Sequence, residues 1–313
     1  MNVSARRALS LVLAGCLTLG LTGWLIGSTG LAGILDIGRS LRWSTAMIFP
    51  LLWLAASAAR ACMYNLLLGR RVGIVGLVPL MWFRALVVDL VPARAGLAAI
   101  PAALRTIWGI RVLEGVGVLA GVTLVEFAAL GLLVLAVCVL SPNPDMTAMH
   151  SVLMLMGMVM VLALPGAILA ARFGATMCGR GRVGNAVAGI ASAVAALARG
   201  GLLATVLACS FLTRLAKYAG LYVLLSAMPV PRLAPAQFLA AALAAEATTA
   251  LPVQGLAGIG TWEAAWVAAT TALGFSPQDA VSSAFGLHLL VLGWEILLGG
   301  VGLALLVSMG RRA

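Results

Sequence analysis

The chain has 313 residues, of which 63% are hydrophobic and 9% are charged, and its formal net charge is +11. Soluble domains are roughly half apolar and about a quarter charged, so this composition excludes a soluble globular protein and predicts an all-α polytopic membrane protein. Most of the arginines lie between apolar runs, which is typical of a positive-inside bias and of contact with anionic lipid headgroups. This pattern excludes nucleic acid as a partner.

Cysteine and histidine usage argues against disulfide and metal sites. The five cysteines are scattered, and neither they nor the two histidines have the spacing of a disulfide framework or a metal site. The spacings of serine nucleophiles, zinc proteases and phosphate-binding loops do not occur in a usable place. We therefore expect no metal, no cofactor and no recognisable catalytic motif. Any chemistry must use side chains inside the helix bundle.

Apolar runs of two lengths follow each other along the chain. Six are long enough to cross a bilayer, at residues 2–27, 43–68, 112–140, 146–171, 200–227 and 280–309. Two pairs of shorter runs, at 74–90 with 97–108 and at 238–251 with 261–273, fall at or below about 17 residues, the lower limit for a spanning helix.

Each short pair flanks a break that contains proline and glycine. Such a break at membrane depth survives only where it is buried in protein or lines a wet cavity. We therefore predict about six full spans and two re-entrant hairpins, at residues 74–108 and 238–273. The sequence GLAAI at 96–100 echoes GLAGI at 255–259, which suggests that the two breaks are related.

The arginines also predict an orientation. If the N-terminus is cytoplasmic, most basic segments fall on the cytoplasmic side, including a basic loop at residues 172–199, and the C-terminus is cytoplasmic too. The two hairpins then enter from opposite faces, as expected of an inverted-topology repeat. We predict a single integral membrane domain with a first half at 1–145 and a second half at 146–313.

Ionisable side chains inside apolar segments are costly and therefore mark candidate sites. Arg214 and Lys217 lie three residues apart on one helix face and are candidates for binding a phosphate or a phospholipid headgroup. The alternative is that they form internal ion pairs with Glu246, Glu263 or Glu295. Arg94 follows the proline of the first break and is predicted to lie at the tip of the first hairpin; the alternative is that Arg84 and Arg94 extend toward the cytoplasmic headgroups.

The second break concentrates the strongest features of a site. Gly258 and Gly260 precede a short helix, and the exposed amides of a helix N-terminus near the bilayer midplane attract an anion such as a lipid phosphate. Thr261 is the expected N-cap, which puts Glu263 in the first turn, where the helix dipole favours a carboxylate. Glu263 is therefore either a capping group or a group that competes with the anion or carries a proton.

The remaining intramembrane acids and one histidine are candidates for gating or proton coupling. His288 is either a satisfied bundle histidine or part of a proton relay. Glu126 and Glu295 lie in the middle of predicted spans and are expected to be paired. The complete set of gating or proton-coupling candidates is Asp89, Glu246, Glu263, His288 and Glu295.

At these positions the chain resembles the lysylphosphatidylglycerol synthase transmembrane-region family of flippase-like bacterial membrane proteins. Residues 258–264 fit a pattern like G-x-G-x-x-E-A, residues 273–280 fit L-G-x-x-P-x-x-A, and His288 stands where some members carry histidine. Residues 92–96 keep the proline, arginine and glycine of a first-half pattern but lack the acid that follows it. Glu126 stands at the start of an E-R-x-x-D-like pattern that is otherwise lost.

The resemblance implies inverted repeats with re-entrant hairpins, the bacterial inner membrane, and movement of lipids or lipid-linked molecules between leaflets. The soluble aminoacyl-transferring domain of the fused synthases is not found in these residues, so we expect no synthase activity.

We therefore expect a lipid translocase whose partners are membrane lipids, with anionic headgroups. One alternative is a membrane-embedded lipid-modifying enzyme, for which Glu263 with His288 is the only plausible acid–base couple. The other is an accessory subunit that binds an enzyme of lipid or glycan biosynthesis. An oligomer is compatible with each of these hypotheses.

Overall fold

The computed structural model describes residues 23, 39–90, 96–140, 147–177, 191, 194–198, 201–248 and 260–311. Within these ranges the regular elements are helices, and no strand occurs. The predicted all-α class is therefore confirmed. The predicted first span at 2–27, apart from Gly23, lies outside the described residues, and so do Arg94 and Gly258.

The helices with defined bounds are named α1 to α10 in chain order. They are α1 (Trp43–Ala46), α2 (Ile48–Leu67), α3 (Ile74–Leu90), α4 (Ala99–Trp108), α5 (Val112–Leu140), α6 (Thr147–Met177), α7 (Leu202–Ala227), α8 (Pro235–Ala247), α9 (Thr261–Ala272) and α10 (Pro277–Gly310).

Long apolar helices confirm a multi-pass membrane protein. In the described part of the chain, five segments are long and apolar enough to cross a bilayer. They are Trp43–Leu67, Val112–Leu140, Ser151–Phe173, Leu202–Ala227 and Pro277–Gly310. Five of the six predicted spans thus coincide with helices, and the sixth lies outside the described residues.

The predicted start of the basic loop at residue 172 is wrong, because α6 continues to Met177 and carries Arg172 on its last turns. Gly174 alone does not end the helix, since one glycine costs only about 1 kcal/mol. A long arginine side chain at a helix end also reaches the headgroup layer without any break in the backbone.

Two short helices form the compact feature that positions the candidate site. The 13 residues of α8 and the 12 residues of α9 span roughly 18–20 Å at 1.5 Å per residue, against a hydrocarbon core of about 30 Å. Neither can cross the bilayer, and the two pack against each other. The re-entrant geometry and the inverted repeat stay predictions, because residues 91–95 and 249–259 at the two tips are not described.

The start of α8 differs from the predicted boundary by three residues. The helix begins at Pro235 rather than Phe238, since a proline at the first helical position has no amide hydrogen to satisfy and its fixed φ suits a helix. The side chain of Gln237 completes the start by accepting a hydrogen bond from the amide of Ala234 at 3.0 Å.

The chain divides into two compact units, which are treated separately below. Unit 1 consists of Met1–Leu52, Arg84–Leu97 and Tyr218–Gly300. Unit 2 consists of Trp53–Phe83, Ala98–Lys217 and Val301–Ala313.

Close helix packing through glycine is clearest in unit 2, where α5 packs against α6. A Cβ atom on Gly131 would lie 2.7 Å from the carbonyl oxygen of Gly157, so neither helix could approach this closely with a larger residue. Small residues of this kind are what allows helices to associate in a bilayer, where no hydrophobic driving force acts between them.

Candidate functional site

The first turn of α9, in unit 1, contains a fully buried carboxylate. Glu263 is 0% exposed, and its Oε2 atom accepts a hydrogen bond from the amide of Gly260 at 2.6 Å. Gly260 is the N-cap and has a φ of 100°, a conformation that glycine adopts without strain. The prediction of Thr261 as N-cap is therefore wrong by one residue, because a left-handed backbone at the cap selects glycine and Glu263 supplies the capping side chain from the third helical position.

The other carboxylate oxygen of Glu263 faces a histidine on the last long helix. Its Oε1 atom lies 2.5 Å from Nδ1 of His288 on α10, whose side chain is 15% exposed. Two unprotonated lone pairs would repel at this distance, so the pair holds a proton on one of these two atoms. Nδ1 can hold it as part of a neutral imidazole or of an imidazolium and donate to the carboxylate, or the carboxyl group can hold it and donate to Nδ1. In each case the buried carboxyl group has a hydrogen-bonding partner, which lowers the cost of its burial.

Two tryptophans fix the position of the imidazole. Trp262 stacks on Trp266 with ring centroids 5.4 Å apart and an interplanar angle of 11°, and its ring meets His288 edge-on at 5.9 Å. Trp266 is 0% exposed and donates from Nε1 to Oγ of Ser283 at 3.0 Å. The two tryptophans therefore pack around the pair.

The aromatic packing continues from Trp266 onto two further helices of unit 1. Phe238 on α8 meets Trp266 with centroids 5.8 Å apart, and Tyr222 on α7 meets Phe238 at 5.2 Å. Edge-to-face contacts of this kind add to the burial of the rings. The pair is therefore held by rings and side chains from four helices, α7 to α10.

If the turn between α9 and α10 lies at a membrane surface, the helix lengths put the pair at about half the depth of a bilayer. Along α9, Glu263 is about 14 Å from the helix end at Ala272, and along α10, His288 is about 17 Å from the helix start at Pro277. These two ends are joined by a short turn with exposed Ser276, which belongs at a membrane surface because its backbone needs water. Both distances are close to about 15 Å, which is half the thickness of a hydrocarbon core of about 30 Å.

The other gating candidates of unit 1 have different surroundings. Glu246 on α8 is half-buried and accepts a hydrogen bond from the hydroxyl of Tyr218 at 3.4 Å. Glu295 on α10 is 3% exposed, and Asp89 is half-buried near the end of α3. Of the five candidates, the structure thus brings Glu263 and His288 into direct contact.

A second buried charged cluster lies in unit 2 and joins three helices. Glu126 on α5 accepts a hydrogen bond from Nε of Arg60 on α2 at 2.7 Å, and its other oxygen lies 3.9 Å from Nη2 of Arg214 on α7. Glu126 is paired, as expected. The sequence did not suggest this carboxylate as a neighbour of Arg214. Lys217, one turn further along α7, is half-buried.

Sequence spacing did not indicate which charged side chains would come into contact. Arg60 and Glu126 are separated by 66 residues, and no spacing rule connects them. The buried hydroxyl of Ser283 was also missed, although a pair of serines inside a long apolar run is a signal that could have identified it. Among the described residues, no group of three metal-ligating side chains occurs.

Comparison with known families gives one match. A family model described as the lysylphosphatidylglycerol synthase TM region matches residues 7–300, which include both buried clusters. The match agrees with the resemblance of residues 258–280 noted in the sequence. No curated protein matches the chain.

Proposed function

Because the chain belongs to the lysylphosphatidylglycerol synthase TM region family, we propose that it is a lipid translocase of the bacterial inner membrane. It moves a phospholipid or a lipid-linked molecule between leaflets, with both of its termini in the cytoplasm. Membership of this family supports a role in lipid metabolism or translocation, which is more general than the proposed translocase activity.

The observation that carries the proposal is the contact between Glu263 and His288. Intramembrane ionisable groups that pair with each other are typical of ion and substrate pathways. This pair lies at the N-terminus of a helix too short to cross the bilayer, which is where transporters bind anionic groups.

Protonation and anion binding would be coupled through Gly260. Its amide now donates to the carboxylate of Glu263, so an anionic headgroup that takes this amide must replace the carboxylate. A protonated carboxyl is a weaker acceptor than a carboxylate, because charge-assisted hydrogen bonds are roughly twice as strong. Proton uptake by the pair would thus release the amide for a lipid phosphate.

In this proposal Arg214 has a more restricted role in headgroup binding than the sequence analysis suggested. Its guanidinium is buried near Glu126, so it can bind a phosphate only after that contact opens. The other candidates keep their proposed roles, with Arg94, Lys217 and Gly258 in headgroup binding and Asp89, Glu246 and Glu295 in gating.

Leaflet exchange in liposomes tests the proposal. Labelled anionic and zwitterionic lipids are reconstituted with wild type, Glu263→Gln, His288→Asn and Arg214→Ala, and Glu114→Gln serves as the control for an acid in a partly exposed pair. Wild type should exchange lipid faster than protein-free liposomes. In Glu263→Gln and His288→Asn, the rate of lipid exchange should fall roughly tenfold or more, as expected for the loss of a charge-assisted contact of about 1.5–3 kcal/mol. Wild-type exchange at the protein-free rate would refute the proposal.

The same contact favours a second candidate function, a membrane-embedded lipid-modifying enzyme. A carboxylate within 2.5 Å of an imidazole is the geometry of an acid–base couple, with one group orienting the other. Mass analysis of the lipids from the same liposomes separates the two functions. A new lipid species that forms with wild type and with neither Glu263→Gln nor His288→Asn would favour the enzyme.

A further inference from the structure

Five exposed arginines lie at one end of unit 2, and we call them the basic collar. They come from the loop between α2 and α3, from α4, from the turn before α5 and from the residue that follows α10. The basic collar consists of Arg70, Arg71, Arg105, Arg111 and Arg311.

Contacts between the helix ends show that these segments meet. Arg71 forms an ion pair with Glu114 in the first turn of α5. A Cβ atom on Gly76, in α3, would lie 3.4 Å from the ring of Trp108 at the end of α4. A Cβ atom on Gly310, at the end of α10, would lie 3.9 Å from Ile107. The ends of five helices therefore come together.

The backbone around Arg70 and Arg71 is held in a defined shape. Arg70 has a φ of 61°, its amide donates to the carbonyl of Asn65 at 2.8 Å, and the side chain of Asn65 donates to the carbonyl of Val72 at 2.7 Å. Arg71 donates from Nε to the carbonyl of Leu68 at 3.1 Å. The backbone of the loop thus needs no further ordering when an anion binds, which lowers the cost of binding.

The collar carries a strong excess of positive charge. The segments that form it, residues 68–76, 104–115 and 307–311, contain five arginines and one acid, Glu114, which gives a formal charge of +4. Since Glu114 already faces Arg71, the other four guanidinium groups account for this excess.

Exposed apolar side chains next to the arginines identify the kind of partner. Val75 is 85% exposed, and Ile74, Val112 and Leu113 are exposed beside Arg71 and Arg111. A soluble polyanion would leave these apolar groups in water. A lipid covers them with its acyl chains while its headgroup meets the arginines, which is the usual place of arginine at a membrane surface.

We propose that the basic collar is a binding site for the phosphate headgroups of anionic phospholipids in the adjacent leaflet. It is built from other residues than Glu263 and His288, and it does not depend on whether the protein moves lipid. Two or more phosphates can bind together, because the positive charge comes from the ends of several helices.

Binding of a fluorescent phosphatidylglycerol to the protein in neutral detergent tests this site. Arg70→Gln with Arg111→Gln removes two collar charges, and Arg39→Gln with Arg232→Gln removes two exposed charges from unit 1 as the matched control. Each arginine near a membrane surface contributes about fivefold in affinity, so the collar variant should bind roughly 25-fold more weakly and the control less than twofold. Thermal midpoints in neutral detergent show that both variants are folded.

Salt and headgroup provide independent readouts. Raising the salt from 0.1 M to 1 M shortens the screening length from about 10 Å to about 3 Å and should weaken binding to wild type much more than to the collar variant. Labelled phosphatidylcholine should bind weakly to all proteins. Equal loss in collar and control variants, or equal binding of the neutral lipid, would overturn the site. If the first collar variant does not fold, Arg105→Gln with Arg311→Gln takes its place, with the same expected loss.

Discussion

Replacement of Glu263 by glutamine and by alanine separates the effect of its charge from the effect of its contacts with Gly260 and His288. Glutamine keeps an oxygen to accept from the amide of Gly260 and an NH₂ group to donate to a neutral His288, so only the charge is lost. The difference between a charge-assisted and a neutral hydrogen bond is about 1–2 kcal/mol. Alanine removes both contacts and leaves the buried amide of Gly260 and the imidazole of His288 without this carboxylate, which costs about 3–5 kcal/mol.

Thermal unfolding in detergent should therefore rank wild type above Glu263→Gln, and Glu263→Gln above Glu263→Ala. A double-mutant cycle of Glu263→Ala with His288→Ala should give a coupling energy of at least about 1 kcal/mol, because residues in direct contact are not additive. Thr261→Ala, in the same turn, replaces Glu263→Ala in a control cycle with His288→Ala. Additive effects of the two alanine substitutions would refute the contact.

The same variants test whether the proton matters for function. Wild-type leaflet exchange should rise as the pH falls from about 8 to about 5, the range in which histidine changes charge, because proton uptake by the pair releases the amide of Gly260, and Glu263→Gln should depend much less on pH. Glutamine cannot take up the proton, and it retains the hydrogen bond to Gly260. A wild-type pH profile in Glu263→Gln would contradict the proposed coupling.

The remaining predictions concern unit 2 and the basic loop. Glu126→Ala leaves the buried Arg214 and the half-buried Arg60 without this carboxylate and should cost about 3–5 kcal/mol in unfolding free energy. Glu114→Ala, in the partly exposed pair, should cost about 0–1 kcal/mol, and similar losses in the two variants would contradict the burial argument. Gly131→Val meets the backbone of α6 and should cost about 1–3 kcal/mol, while Gly166→Val, with no atom within 4 Å, should be stable in the same thermal assay. A cysteine introduced at residues 178–190 should be labelled from the cytoplasmic side, and labelling from the opposite side alone would overturn the orientation.

Helix positions were predicted best where the apolar run has sharp ends. The bounds of α5 agree with the prediction to the residue, because Arg111 and the serine–proline pair at 141–142 delimit an uninterrupted apolar stretch. The end of α6 was predicted six residues too early, since an arginine at the membrane surface was taken as a loop residue. Sequence distinguishes polar from apolar residues, but it does not distinguish a helix that continues into the headgroups from one that stops there.

The sequence identified residues of the candidate site more readily than it identified the contacts between them. Glu263 and His288 emerge from the sequence as an acid and a histidine in apolar segments, and the structure adds that their side chains touch. The contact of Arg214 with Glu126 was not predictable, because Glu126 was one of several acids in apolar segments and the choice among them depends on how the helices pack. Gly260 as N-cap depends on a positive φ, which a preference for threonine at N-caps does not detect.

The ion pair of Arg60 with Glu126 also has a consequence for biogenesis. Sixty-six residues separate the two side chains, so at a synthesis rate of about 5–20 residues per second the carboxylate follows the arginine by roughly 3–13 s. During that interval α2 reaches the membrane before its carboxylate partner has been made, and its arginine must stay near water or the headgroups. The contact of Arg60 with Glu126 can form only when α5 arrives, and Arg214 joins the cluster later still. The cluster therefore imposes an order on helix assembly at the translocon, with α2 and α5 joining before α7.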